Sequence, residues 1–215
     1  MGVRVVGRLT VKLAVLVLWA GIAGGCATPD LPASLAIPTM PNDATAVEVP
    51  PGFISFCIRF PDQCYVPPGA ANTIALNDAT WRKLNRTNVA VNEAIWPQDD
   101  QTHFGRAEYW TITTDGYGNC HDYALSKRKE LMDVGFPALA LRIAIVITPH
   151  QKRHAVLTVA TDKGDFVLDN LRNDVVPWSD AGYTWIERQD GKREYAWVSL
   201  QRTTTLVASN ERDER

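Results

Sequence analysis

The four cysteines carry the most restrictive chemistry in this sequence, and they fall in three different settings. Cys57 and Cys64 bracket Ile58-Arg59-Phe60-Pro61-Asp62-Gln63, a short aromatic loop bounded by proline, where an oxidising compartment favours a bridge. The plainer alternative for that pair is two free buried thiols. A zinc site has no second Cys or His pair at ligand spacing. Cys26 ends an apolar N-terminal run. Cys120 is then left without a partner, and nucleophilic chemistry is one explanation for a leftover thiol in an exported chain.

A thiol attacks as its thiolate, and the free group has a pKa of about 8.5, so a useful nucleophile needs help from its surroundings. Two sources of help are visible. Asn119 to Val134 reads as a helix: Tyr123, Ala124, Leu125, Leu131 and Met132 give an apolar face, Lys127 to Glu130 a solvated one, and Gly135 and Pro137 the stop. Cys120 lies in its first turn, where unpaired N–H groups and the helix dipole favour negative charge and can hold an oxyanion. The other source is a base. His154 begins the strand His154 to Ala160, and Asp169 ends the strand Phe166 to Asp169, with Asp162-Lys163-Gly164-Asp165 as the turn. An antiparallel hairpin sets those two ends side by side, so that Asp169 orients the imidazole and the other ring nitrogen faces Cys120.

Taken singly, each residue has a duller reading: a small buried hydrophobe for Cys120, a satisfied core residue for His154, a turn former for Asp169. Together they define a Cys-His-Asp triad by role. The oxyanion donors would be the Cys120 N–H and one upstream group, for which Asn119, Tyr117 and Trp110 are the candidates.

The elements that must position these residues indicate an α+β fold. Apolar positions between Asn72 and Ile95 predict one or two helices, with Asn77 and Asp78 as caps. Leu139 to Ile147 alternates as a strand, and Tyr195 to Leu200 is a further one. The formal charge of -2 comes without long runs of either sign, which removes any electrostatic case for nucleic acid. Residues 1–26 have the parts of an export signal: Arg4, Arg8 and Lys12, the apolar run Leu13 to Ala23, then Gly24 and Gly25. Ala23-Gly24-Gly25-Cys26 resembles a lipobox, which predicts a lipid anchor on Cys26, the alternative being cleavage after Ala27 and a soluble periplasmic product. Residues 27–52 read as a flexible Pro/Ala/Thr-rich spacer, 53–208 as the catalytic domain and 209–215 as a polar tail.

Gly118-Asn119-Cys120-His121-Asp122-Tyr123-Ala124, His154-Ala155-Val156-Leu157 and Phe166-Val167-Leu168-Asp169-Asn170 resemble the bacterial transglutaminase-like cysteine peptidases, the family of the periplasmic LapG-type proteases. The likeness runs over residues 53–201 and includes the Cys57/Cys64 pair. It implies a papain-like, transglutaminase-like fold, with the nucleophile Cys120 at a helix N-terminus packed on an antiparallel sheet, His154 as base and Asp169 as its orienter. It also implies a protein substrate of the surface-adhesin kind and control by a membrane-bound receptor. The family usually carries acidic residues beside the nucleophile that bind calcium. Here Asn119 and His121 flank Cys120 and only Asp122 is acidic, which weakens such a site: no cofactor is the expectation, and calcium held with help from Asp115 and Asp122 stays open as the alternative. Two further readings stay open: an acyl transferase or amidase on the same triad, and a non-catalytic envelope lipoprotein that binds a partner in the cleft.

Overall fold

The computed structural model describes residue 2 and residues 37–41, 45–193 and 195–201. The export signal, Cys26 and the polar tail all lie outside the described residues. In chain order the elements are β1 (Ala46–Val47), α1 (Pro51–Arg59), α2 (Pro61–Cys64), α3 (Asp78–Ala94), β2 (Trp96–Pro97), α4 (Asp100–Phe104), β3 (Tyr117–Gly118) and α5 (Cys120–Asp133). Then come β4 (Leu141–Ile147), β5 (Arg153–Thr161), β6 (Gly164–Asp169), β7 (Arg172–Pro177), β8 (Thr184–Gln189) and β9 (Trp197–Ser199).

Among the described residues, seven strands form one antiparallel sheet in the order β1-β9-β8-β4-β5-β6-β7, and β2 pairs with β3 in a separate parallel ribbon. The strands at the centre of the sheet are buried on both faces, as the run Leu-Arg-Ile-Ala-Ile-Val-Ile in β4 requires. Helix α5 lies across β4, β5 and β6, and α3 packs on α5, β6 and β7. The main core fills the space between helices and sheet, around Phe53, Phe56, Leu84, Leu125, Leu157 and Phe166. A second cluster on the other side of the sheet joins Val146, Val156 and Val167 to Trp178 and Trp185.

Both long helices start on side-chain caps. Asn77 accepts from the N–H groups of Ala79 and Thr80 at the head of α3, and Thr80 returns a bond to the Asn77 N–H. Asn119 and Asp122 do the same for α5. Because α5 is covered by α3 on one side and by the sheet on the other, only the Lys129 and Glu130 part of its expected solvated face reaches solvent. Lys127 and Arg128 are buried, and Arg128 donates to the carbonyls of Leu141 and Gln63.

Two boundaries differ from the sequence expectation. The described part of the expected spacer belongs to the fold. Ala46–Val47 pairs with β9, the Met40 N–H donates to Asp165 Oδ2 at 2.6 Å, and Pro51 and Gly52 open α1. A two-residue strand between prolines has no period to read, which is why the spacer reading ran on to residue 52. The strap closes tightly at Gly164. Its φ is +115°, and a Cβ there would meet the Ile37 carbonyl oxygen at 2.5 Å. The second difference concerns Cys57 and Cys64, which are bonded to each other as expected but sit in α1 and α2 rather than in a loop.

The bridge spans a sequence separation of 7, and chain-entropy reasoning assigns a loop of that size about 2 kcal/mol. The double variant Cys57→Ser/Cys64→Ser is expected to lose about that amount, read as a lower urea midpoint at little-changed slope. An unchanged midpoint would remove the bridge from the forces that hold α1 on the core.

Candidate active site

Cys120 is the first residue of α5, so its position is fixed by the Asn119 cap and by the packing of that helix on the sheet. His154 lies near the start of β5, in register with Val146 of β4. Asp169 ends β6, next to a register shift in its pairing with β7. The structure thus brings together the three residues that the sequence reading grouped. His154 Nε2 is 2.7 Å from Asp169 Oδ1, and the Cys120 thiol interacts with His154 by hydrogen bond and charge. With Nε2 engaged by the carboxylate, Nδ1 is the ring nitrogen left for proton exchange.

The Asp169 carboxylate is 1% exposed, and its neighbours meet it from several directions. It accepts from His154, from the Leu171 N–H at 3.0 Å and from the Tyr183 hydroxyl. Its backbone is held by α3: its N–H donates to Asn88 Oδ1 at 3.0 Å, and its carbonyl accepts from Asn92 Nδ2 at 3.0 Å. Asn88 and Asn92 also bond the carbonyl of Arg172, so one face of α3 clamps the turn that presents the carboxylate. Neither asparagine nor Tyr183 was picked out from sequence. The available signal was the Asn-x-x-x-Asn spacing, which puts both amides on one helix face.

These contacts set the protonation states. Burial alone would push the Cys120 thiol up, but hydrogen bonds and charge from His121 and His154 outweigh it and bring the thiol down to about 6. For His154, burial disfavours the cation, yet the bonds to Asp169 and Cys120 raise it to about 9. Burial also works against ionisation of Asp169, and His154 and Tyr183 reverse that, holding the carboxyl below its ordinary value. Between about 6 and about 9 the site therefore holds a thiolate and an imidazolium, the pair needed for attack.

The upstream oxyanion candidates separate. Asn119 uses its side-chain oxygen to cap α5, accepting from the His121 N–H, and it also hydrogen-bonds the Asp100 carboxylate. Trp110 is buried and its Nε1 donates to Glu108 Oε2 at 2.9 Å. Both side chains are thus engaged in bonds of their own. Tyr117 stays exposed at 47%, paired through the β2–β3 ribbon with Trp96, which is 70% exposed. Asp115, another acid near the nucleophile in sequence, is exposed and lies 2.7 Å from His103.

Among the described residues, Asp100, His121 and Asp122 form the one group of three whose potential ligand atoms lie within 4.8 Å of one another. Calcium takes six to eight oxygens. Here Asp100 Oδ2 already accepts from the Tyr109 N–H, Asp122 Oδ1 from the Thr111 N–H and Asp122 Oδ2 from the Asn119 N–H. His121 Nε2 stands 3.1 Å from Asp100 Oδ2 and 3.7 Å from Asp122 Oδ1. One buried oxygen, Asp100 Oδ1, has no hydrogen-bond partner, but with an imidazole between the carboxylates the group offers fewer oxygens than calcium takes.

The model of the bacterial transglutaminase-like cysteine proteinases matches residues 43–205, well over half of the chain. Among solved structures, LapG of Legionella pneumophila is similar over 55% of this chain and 67% of its own length, at 23% identity and a TM-score of 0.48. Its calcium-bound form is similar over 60% of this chain and 74% of its own, at 21% identity and a TM-score of 0.49. Neither likeness bears on the chemistry of the site. No curated protein matches the chain.

One buried group takes no part in the triad. Lys127 Nζ has no hydrogen-bond partner, and burial lowers it from 10.5 to about 7 against the attraction of Asp169. Its folded value lies below its unfolded value, so the cost is full below about 7 and vanishes above about 10.5. Lys127→Met should therefore raise the melting temperature, more at pH 6 than at pH 9. A variant that melts lower at both pH values would show that the amine has a stabilising partner.

Proposed function

The chain belongs to the bacterial transglutaminase-like cysteine proteinase family, and we propose that it is an exported member that hydrolyses a peptide bond of an envelope or surface protein through Cys120, His154 and Asp169. The observation that carries the reading is the placement of Cys120 at the head of α5 against a histidine bonded to a buried aspartate.

The chemistry follows from that placement. The Cys120 thiolate attacks the carbonyl carbon, forming an S–C bond and moving the carbonyl electron pair onto oxygen. The oxyanion develops at the α5 N-terminus, where the Cys120 N–H is a donor already in place. Collapse breaks the C–N bond as imidazolium His154 gives its proton to the leaving amine. Neutral His154 then takes a proton from water, whose oxygen attacks the thioester, and the second collapse expels the Cys120 thiolate. Asp169 holds the ring in one orientation and stabilises its charged form throughout. The exposed Trp96 and Tyr117 beside the nucleophile offer an aromatic wall to an extended peptide.

The setting is argued from the N-terminus. The signal Arg4 to Gly25 favours the periplasm, with Cys26 as lipid anchor, and no helix among the described residues is long and apolar enough to cross a membrane. A surface adhesin cut under the control of a membrane-bound regulator is the substrate and partner class that fits such a location. No calcium is required in this reading.

Alkylation of the mature protein by iodoacetamide across pH tests the site. Wild type is expected to react with a midpoint near 6, and His154→Ala with a clearly higher midpoint that still falls short of the free-thiol value of about 8.5, because His121 remains beside the thiol. Incubation with an envelope fraction should give two fragments, lost with Cys120→Ser. Joined products would instead mean acyl transfer, and an inert thiol in both proteins would leave a binding role.

A further inference from the structure

Cys120 has two imidazoles against it, and the triad uses one. His121, the next residue of α5, is 7% exposed and interacts with the Cys120 thiol by hydrogen bond and charge. Its ring lies nearly parallel to the Trp110 indole, with centroids 4.9 Å apart and planes 14° apart. Its Nε2 faces Asp100 at 3.1 Å and Asp122 at 3.7 Å. Each of these neighbours is anchored independently of the histidine. Asp100 accepts the Tyr109 N–H at 2.6 Å, Asp122 accepts the N–H groups of Thr111 at 2.8 Å and Asn119 at 3.0 Å, and Trp110 is tied to Glu108. The segment from α4 to α5 is thus wrapped around one imidazole ring.

Two carboxylates buried side by side repel each other and need a cation between them. His121 is the group in that position. Burial disfavours its charged form, but Asp100, Cys120 and Asp122 together raise it to about 9, so it stays protonated where the enzyme works. The charged and titratable groups facing it are Asp100, Asp122 and Cys120; those around His154 are Cys120 and Asp169, the latter also approached by Tyr183 and Lys127.

We propose that His121, clamped by Asp100, Asp122 and Trp110, is a second catalytic imidazole: a fixed cation beside Cys120 that favours the thiolate electrostatically and transfers no proton. The inference rests on Cys120 being the nucleophile. Its use lies in the division of labour. His154 loses its charge whenever it protonates the leaving amine, whereas His121, with Nε2–H toward Asp100, its other N–H toward Cys120 and a second carboxylate close by, keeps both ring protons and remains a cation through both halves of the reaction. It also stands between the carboxylates that a divalent ion would otherwise need, so the thiolate is favoured without metal.

The test compares wild type, His154→Ala, His121→Gln and Asp100→Asn in the mature chain, by the pH midpoint of iodoacetamide alkylation with and without EGTA. Circular dichroism reports whether each variant folds. His121→Gln is expected to raise the midpoint by about one pH unit or more, Asp100→Asn to raise it less, and EGTA to leave wild type unchanged. A folded His121→Gln with the wild-type midpoint would overturn the proposal while leaving the nucleophile in place. A wild-type midpoint near 8.5 would instead remove the nucleophile itself. Should the variants fail to fold, the histidine NMR titration of wild type decides: His121 protonated up to pH 8 supports the fixed cation, and a neutral ring at pH 7 sinks it. A wild-type midpoint that moves on adding calcium also sinks it.

Discussion

A carboxylate that must stay ionised while almost wholly buried is the constraint on which the rest of this structure turns. Asp169 has lost its water, and its charge survives only because an imidazole, a phenol and a backbone N–H replace it. Those groups come from β5, from the segment before β8 and from the turn after β6, so the carboxylate fixes how three parts of the sheet meet. The asparagines of α3 fix the backbone that carries it. Orientation of His154 follows from this arrangement, and the state of Cys120 follows from His154.

The sheet bearing the hairpin is closed from the N-terminal side by the strap before α1. Residues near Pro38 to Pro41 accept from Trp178 Nε1, Asp165 N–H and Arg188, and Ala46–Val47 pairs with β9 at the far edge. One short segment therefore bonds near both ends of the sheet order. Inside, Arg128 joins α5 to α2 and to the start of β4, so the helix carrying the nucleophile is tied to the sheet carrying the base by buried donors as well as by apolar packing.

The parts of the fold that the sequence made legible are those with a strong local signal. The cap at Asn119 and the glycine stop framed α5, and the short apolar runs of β5 and β6 on either side of the turn at Lys163-Gly164 placed His154 beside Asp169. β7 and β8 were not legible, because Arg-Asn-Asp-Val-Val-Pro and Thr-Trp-Ile-Glu-Arg-Gln do not alternate. The burial of Lys127 was hidden for a different reason: a charged helix face reads as solvated unless a second helix is known to cover it, and here α3 does. The environment of His121 depends on the chain between α4 and α5 folding back over the helix start. No periodicity encodes that closure.

The charges around the nucleophile can be paired off, and the remainder is informative. His154 matches Asp169 and His121 matches Asp100. This leaves Asp122 and the Cys120 thiolate, two negative groups without a cation of their own. Both lie in the first turn of α5, where Asp122 accepts the N–H groups of Asn119 and Thr111, and where the helix end directs its unpaired N–H groups and the positive end of its dipole. Burial pushes Asp122 up to about 6, yet it remains ionised at neutral pH because those N–H groups and His121 oppose the cost. The excess negative charge is thus placed at the one backbone feature able to hold it, and a helix starting one turn later would leave both groups unsupported.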